Sequence, residues 1–346
     1  MKKEVDVLVI GAGPSGTIAA SIIHNAGYSV QMVEKMKFPR FVIGESLLPR
    51  SMEALEEAGL LDAVKARGFQ QKDGAKFVMG DKVCDFNFSN QFTQGWKWTW
   101  QVPRADFDKT LADECVRKGI DLDYEMEVTG IEIFDGYSLT TVKDNAGNSH
   151  VIKAKYIVDG SGYGRVIPRL FGLEKQSTMK QRKTIFGHVT DPLRSEAFEP
   201  NRIIIYVHNP TTWIWVIPFS TGITSLGYVG DVEFFEAHKG TLMEKFKSLI
   251  ASEPEISVRF GNSELVWDEP KTLESWSVSV ESFYGKGFVL TGNVTEFLDP
   301  VFSSGVTLAA VSAQMAAKLV IRELKGEQVN WESEYAEPMK KGIGVF

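Results

Sequence analysis

Two cysteines, Cys84 and Cys115, are all that the chain carries in 346 residues. They are too few for a disulfide framework and lack a metal-ligand spacing, so both are expected as ordinary thiols and no metal is assigned. Long apolar runs are also missing. Lys2 and Lys3 precede an apolar segment, but Asp6 interrupts it and Gly11 ends it, which excludes a signal peptide or membrane span and makes the cytoplasm the expected location. Excess positive charge is absent: 38 basic against 45 acidic side chains leave −7, with no Lys/Arg cluster. That balance argues against nucleic acid or an anionic membrane surface as the main partner. The five histidines, His24, His150, His188, His208 and His238, show no catalytic spacing with Ser, Asp or Cys and are read as structural or solvent-facing. No repeat or low-complexity tract occurs, and the length suits one large or two intimately joined domains.

What is present is one stretch, 5–35, VDVLVIGAGPSGTIAASIIHNAGYSVQMVEK, containing every part of a dinucleotide-holding device. Val7, Leu8, Val9 and Ile10 form a short apolar run, the pattern of a parallel strand buried on both faces. Gly11, Gly13 and Gly16 follow at G-x-G-x-x-G spacing, giving a tight turn, close backbone approach to a pyrophosphate and close helix-on-strand packing. Ser15 lies in that turn, and the helix beyond it offers N–H groups and its positive dipole end to the phosphates. Val30, Met32 and Val33 make a second strand. Glu34 falls eighteen positions after Gly16, where an acidic side chain accepts bonds from ribose hydroxyls and so specifies an adenosine ribose without a 2′-phosphate.

Beyond Glu34 a loop carries Arg40 and then Gly44-Glu45-Ser46 in GESLLP. Arg40 with this motif resembles the segment after the second strand in flavin-dependent halogenases and related single-component FAD monooxygenases. Ser46 and Arg40 are thereby implied to bind FAD. Glu45 also reads as a helix-capping carboxylate, because 51–66 has the pattern of an amphipathic helix with Leu55, Leu60, Leu61 and Val64 inward. Lys72, two residues before Gly74-Ala75, is similar to the lysine of halogenases acting on phenols and pyrroles, where it carries hypohalous acid; without the resemblance it reads as a solvated turn lysine. Phe86, Phe88, Phe92, Trp96, Trp98 and Trp100 cluster in 84–100 and are expected to pack a sheet core, with the tryptophans alternatively lining a substrate cavity.

A helix is expected to open at 101–108 and run to about residue 118, and the resemblance makes Arg104 a flavin-binding side chain. Strands are expected over 120–133 and 137–142, and Val128 matches the position whose backbone meets adenine in related flavoproteins. Asp159-Gly160 follows an apolar strand as the second flavin motif, at the strand end where open α/β sheets bind ligands. Short β-like runs fill 184–232 and predict an antiparallel substrate domain. Within it, Trp213-Ile214-Trp215-Val216-Ile217-Pro218 matches the WxWxIP motif of the halogenases, and Trp213, Trp215 and Ile217 share one strand face. The resemblance makes that face a wall between flavin and substrate, although Thr212 stands where the family usually has Gly.

A helix is expected over 236–251. Gly292-Asn293 forms the third motif, with Asn in place of the relatives' Asp, and Pro300, Ser304 and Gly305 are implied to border the flavin and a halide. The long helix expected over 306–324 would stabilise negative charge at the flavin by about 1 kcal/mol through its dipole. Phe302 occupies the place where tryptophan halogenases have Glu, which disfavours tryptophan as substrate and puts Phe302 in the substrate cavity.

The expected fold is α/β: a Rossmann-like FAD-binding domain of the glutathione-reductase type, formed by 1–80, 101–175 and 278–330, with an inserted antiparallel β-sheet substrate domain, 81–100 and 176–277. Residues 331–346 are expected to begin a further C-terminal segment. The resemblance implies an FAD-dependent oxidoreductase whose reduced flavin and oxygen form a C4a-hydroperoxide that halogenates or hydroxylates an electron-rich aromatic or other apolar small molecule. Halide and a separate flavin reductase are the candidate partners. Two other readings stay open: a geranylgeranyl-reductase-like flavoprotein that reduces a prenyl double bond, and a non-catalytic FAD-binding redox sensor.

Overall fold

A computed structural model describes residues 2–177, 180–194, 200–276, 278–296 and 300–344. The apolar strand Lys2–Ile10 lies at the centre of a parallel array, between Val30–Glu34 and Ser149–Asp159, with Asp121–Tyr124 and Phe288–Leu290 outside them. Burial on both faces explains why Val7, Leu8 and Val9 are fully inaccessible. Helices Pro14–Asn25, Arg104–Arg117 and Ser304–Leu324 belong to the same layer, the first packing on both others. Ser304–Leu324 is long and apolar enough to cross a membrane, but 67 % of its apolar window is buried within the fold, so it is a core helix.

The second layer is a seven-stranded sheet in the order Lys271–Glu274, Lys183–Thr190, Ile223–Gly230, Thr212–Pro218, Arg202–Asn209, Gly74–Met79, Lys82–Asn87. It is antiparallel except where Arg202–Asn209 runs parallel to Gly74–Met79. Alternation along the strands sends Ile204, Tyr206, Ile214 and Val216 to one face, under helices Leu242–Ser252 and Pro254–Phe260. Ile203, Ile205, Trp215 and Ile217 go to the other, toward the FAD-type layer. Gly74–Met79 belongs to this sheet although it precedes the expected boundary at residue 80.

Local backbone chemistry accounts for the remaining differences from the sequence reading. The helix expected over 51–66 is two, Arg50–Glu57 and Leu61–Lys65, because Gly59 takes φ +66° between them. The helix expected over 236–251 likewise divides into Val232–Ala237 and Leu242–Ser252, with Gly240 at φ +97° and a capping box between Thr241 and Glu244 restarting it. Phe86 is exposed rather than packed in a core, since Lys82–Asn87 is an edge strand with every side chain accessible, and Phe92 is exposed in the loop beyond it. Trp96, Trp98 and Trp100 stack edge-to-face on one another against the first layer's core.

Candidate active site

The carboxyl ends of the parallel strands meet side by side: Ile10 pairs with Val33 and Asp159, and Asp159 with Leu290. A cavity of about 520 Å³ opens there and runs to the second sheet. Gly11 is required twice, by φ +93° and because a Cβ would stand 2.7 Å from the carbonyl oxygen of Gly160. A Cβ on Gly16 would come within 1.9 Å of the Gly11 oxygen, so this glycine brings helix and strand together and stands behind the cavity wall. Gly13 faces the cavity, with Arg40 Nη2 3.4 Å from where its Cβ would be.

Glu34 accepts backbone bonds at both oxygens, from Ala12 N and Met36 N, each at 2.9 Å. It lines the cavity together with Met126, Glu127 and Val128. Ser15 Oγ donates to Thr291 Oγ1 (2.7 Å), which donates to the Asp159 carbonyl (3.0 Å), so one hydroxyl chain ties the three glycine-containing motifs together. Gly160 lines the cavity, but the Asp159 side chain does not. Its carboxylate is fully buried, accepting from Ser161 N and Ile167 N; burial raises its pKa against the lowering effect of those bonds.

Arg40 and Arg104 converge on a residue that sequence reading missed, Asp108. Arg104 binds it bidentately (2.7 and 2.9 Å), Arg40 Nη1 reaches it at 2.8 Å, and Arg104 Nη1 donates to the carbonyls of Ile43 and Gly44. Two fixed guanidiniums share the Asp108 carboxylate, with Glu45 also close enough to act on Arg104. The available signal was the i, i+4 spacing of Arg104 and Asp108 at a helix start.

At the far end Trp213, Trp215 and Ile217 line the cavity, together with Asn293, Ser303 and Gly305. The Trp215 indole donates to Ser225 Oγ at 2.9 Å and lies against Gly227, where a Cβ would stand 2.2 Å from the ring. Thr212 is accommodated by another glycine, Gly230, whose Cβ would be 2.6 Å from the threonine hydroxyl. Ser304 is buried and Gly292 packs behind the wall against Ala309. Phe302 is half exposed and rests on Phe77, outside the cavity. Pro300 begins a short turn, Pro300–Phe302, and its side chain lies outside the described residues.

Lys72 does not line the cavity, nor is it a solvated turn residue. It is fully buried on the strand Gln70–Lys72, its Nζ donating to the Leu47 carbonyl (2.7 Å) and lying 5.3 Å from the Phe88 ring centre. Desolvation lowers its pKa to about 7. Ser46, the residue before Leu47, does line the cavity. Glu45 caps no helix; the cap position of Arg50–Glu57 is Pro49. Its Oε1 is 2.6 Å from Nε2 of His188, which does not itself line the cavity but meets a residue that does.

A glycine cradle without side chains, a helix N-terminus at Pro14, an acidic residue at the second strand's end, two arginines and a flat indole wall fit FAD. The site and fold define a flavin-dependent oxidoreductase. An FAD-binding-domain family model matches residues 4–334, and the chain belongs to that family, among the flavin-dependent halogenases and their relatives. It is 30 % identical to a 1H-pyrrole-2-carbonyl-[peptidyl-carrier protein] brominase of Pseudoalteromonas luteoviolacea, over 96 % of this chain and 80 % of that one. Among solved structures it is similar to a flavoprotein/dehydrogenase of Cytophaga hutchinsonii (56 % identity, TM-score 0.97, 99 % of this chain and 84 % of that chain). It is also similar to the myxobacterial chondrochloren halogenase, with 29 % identity, TM-score 0.91 and 99 % and 81 % coverage.

Proposed function

We propose that this protein is a halogenase-like FAD monooxygenase that halogenates an electron-rich phenol or pyrrole. The observation that carries this reading is the junction of the dinucleotide cradle with the wall of Trp213, Trp215 and Ile217, which closes the ring end of the cavity with apolar side chains. Bound reduced FAD supplies the redox chemistry, converting oxygen to an electrophilic oxidant. Arg40, Arg104 and the N–H groups at the start of Pro14–Asn25 hold the pyrophosphate, and Glu34 orients the adenosine ribose. The N-terminus of Ser304–Leu324 places N–H groups and its dipole where anionic charge, including a halide, is favoured. The indole wall excludes water and substrate, so only a small oxidant leaves. Lys72 is the proposed receiver, and because it is buried one residue beyond the lining Ser46 its part requires the Nζ contact with the Leu47 carbonyl to open to the oxidant. With its pKa lowered to about 7 it supplies both an ammonium that donates to the oxidant's oxygen and an amine whose lone pair can take its halogen.

Incubation with a separate flavin reductase, oxygen, bromide and a panel of phenols and pyrroles should yield brominated product by mass spectrometry, and Lys72→Ala should retain FAD while losing it. Hydroxylated product alone across the panel would place the protein on the monooxygenase branch without halide.

A further inference from the structure

Glu45 and His188 are 143 positions apart and come from different layers, yet Glu45 Oε1 and His188 Nε2 are separated by 2.6 Å. The Glu45 side chain is fully buried and the His188 side chain is 12 % exposed. At that distance one proton is shared between Oε1 and Nε2. The imidazole is held by the Trp267 ring at 4.2 Å and the edge of Phe219 at 5.1 Å. Glu45 lines the cavity, and its second oxygen, Oε2, is buried with no protein partner.

The other cavity carboxylates are either bonded at both oxygens or exposed at the rim. Both oxygens of Glu34 accept backbone N–H groups, and Glu127 holds Lys35 at the exposed rim. Guanidinium groups are not proton donors in this range, and loss of hydration around the Tyr163 hydroxyl raises its pKa, although the residue as a whole is 38 % exposed. Among the described lining residues, Glu45 is thus the buried carboxyl group with an oxygen that no protein group meets, and its histidine neighbour reaches toward solvent.

Oxygen chemistry in this cavity consumes protons whatever the substrate. Anionic reduced flavin, oxygen and halide yield oxidised flavin, hypohalous acid and water only with uptake of two protons, as the O–O bond breaks and an O–halogen bond forms. Hydroxylation of an arene by the same reactants without halide takes up one. A wall that excludes water must therefore admit protons by another route.

We propose that Glu45 delivers these protons from Oε2, with His188 as the positioning residue that holds the carboxyl group and passes it a proton at Oε1. The inference rests on FAD and oxygen reacting in this cavity and on neither product branch. The charged groups facing the pair are Arg104, on the Glu45 side, and Lys271, whose ammonium lies over the Phe41 and Trp267 rings.

The test uses Glu45→Gln, which keeps the volume but carries no proton, and Glu45→Ala, in the full FAD-loaded chain. Visible absorbance should show FAD retained in both. On mixing the reduced protein with oxygen, recovery of the oxidised spectrum should slow roughly 10²-fold and lose the wild-type pH dependence. Formate or acetate should restore the rate in Glu45→Ala, faster with the stronger acid, which a purely structural carboxylate would not show. Without FAD, nitrogen-15 histidine NMR should show the His188 titration shift in Glu45→Gln. Wild-type recovery kinetics in Glu45→Gln, slowing in Glu45→Ala that no small acid relieves, or a His188 titration indifferent to Glu45 would each overturn the proposal. Hydroxylated rather than halogenated product with Glu45 dependence intact would refute the halogenation reading and leave this one standing.

Discussion

The Lys72 ammonium donates to the Leu47 carbonyl at 2.7 Å, and that bond fixes a buried cation one residue beyond the cavity wall at Ser46. Lys72 is paired through Gln70–Lys72 with Thr99–Gln101, and Gln101 bridges to Ser46, so a short ribbon connects the lysine to the cavity. The position is costly, because a fully buried ammonium with one carbonyl acceptor has given up most of its hydration.

That cost makes stability depend on pH. The pKa falls from 10.5 unfolded to about 7 folded, so between these values the unfolded chain binds more protons. Stability should rise as pH increases from about 7 toward 10.5, and the penalty should be fully in force below about 7. Lys72→Met should remove this slope and stabilise the fold at pH 7 by about 1–4 kcal/mol, read from urea midpoints across the pH range. FAD binding should survive and halogenation should not. An unchanged pH slope in Lys72→Met would show that another group sets it.

Asp108 carries the opposite dependence on a partner. Its replacement by Ala leaves two buried guanidiniums facing each other and should destabilise the protein by about 3–5 kcal/mol. In the proposed binding mode FAD would bring pyrophosphate charge to the same arginines, so the loss of Tm should be smaller with FAD than without it. Equal losses in both states would mean that Arg40 and Arg104 do not share the ligand.

The glycines of the first motif separate binding from folding. Gly13→Glu should abolish the yellow colour, since the new carboxylate projects toward Arg40 and repels phosphate, while the protein stays folded by circular dichroism. Gly16→Ala should instead lower stability by about 1–3 kcal/mol, because its Cβ meets the Gly11 carbonyl within the backbone itself. A Gly13→Glu protein with full FAD occupancy would remove this turn from the binding site.

What was legible in the sequence was local. Glycine spacing, the apolar strand before it, the acidic residue after the second strand and the alternation of Trp213, Trp215 and Ile217 are patterns a few residues long, and the structure brings them to one cavity. The Glu45–His188 pair escaped because nothing near either residue announces the other. Burial of Lys72 follows from its pairing with Thr99, a contact across 27 positions that a turn-like local sequence concealed. The aromatic run 86–100 misled for a related reason: period two shows which side chains share a face, not whether another layer covers it, and Lys82–Asn87 lies at a sheet edge.

The hydroxyl chain from Ser15 through Thr291 to the Asp159 carbonyl spans 276 positions between its first two members. A ribosome therefore releases the glycine turn around Ser15 long before the residue that braces it. Stable flavin capture should wait until Thr291 has been made: nascent chains stalled before that residue should emerge colourless.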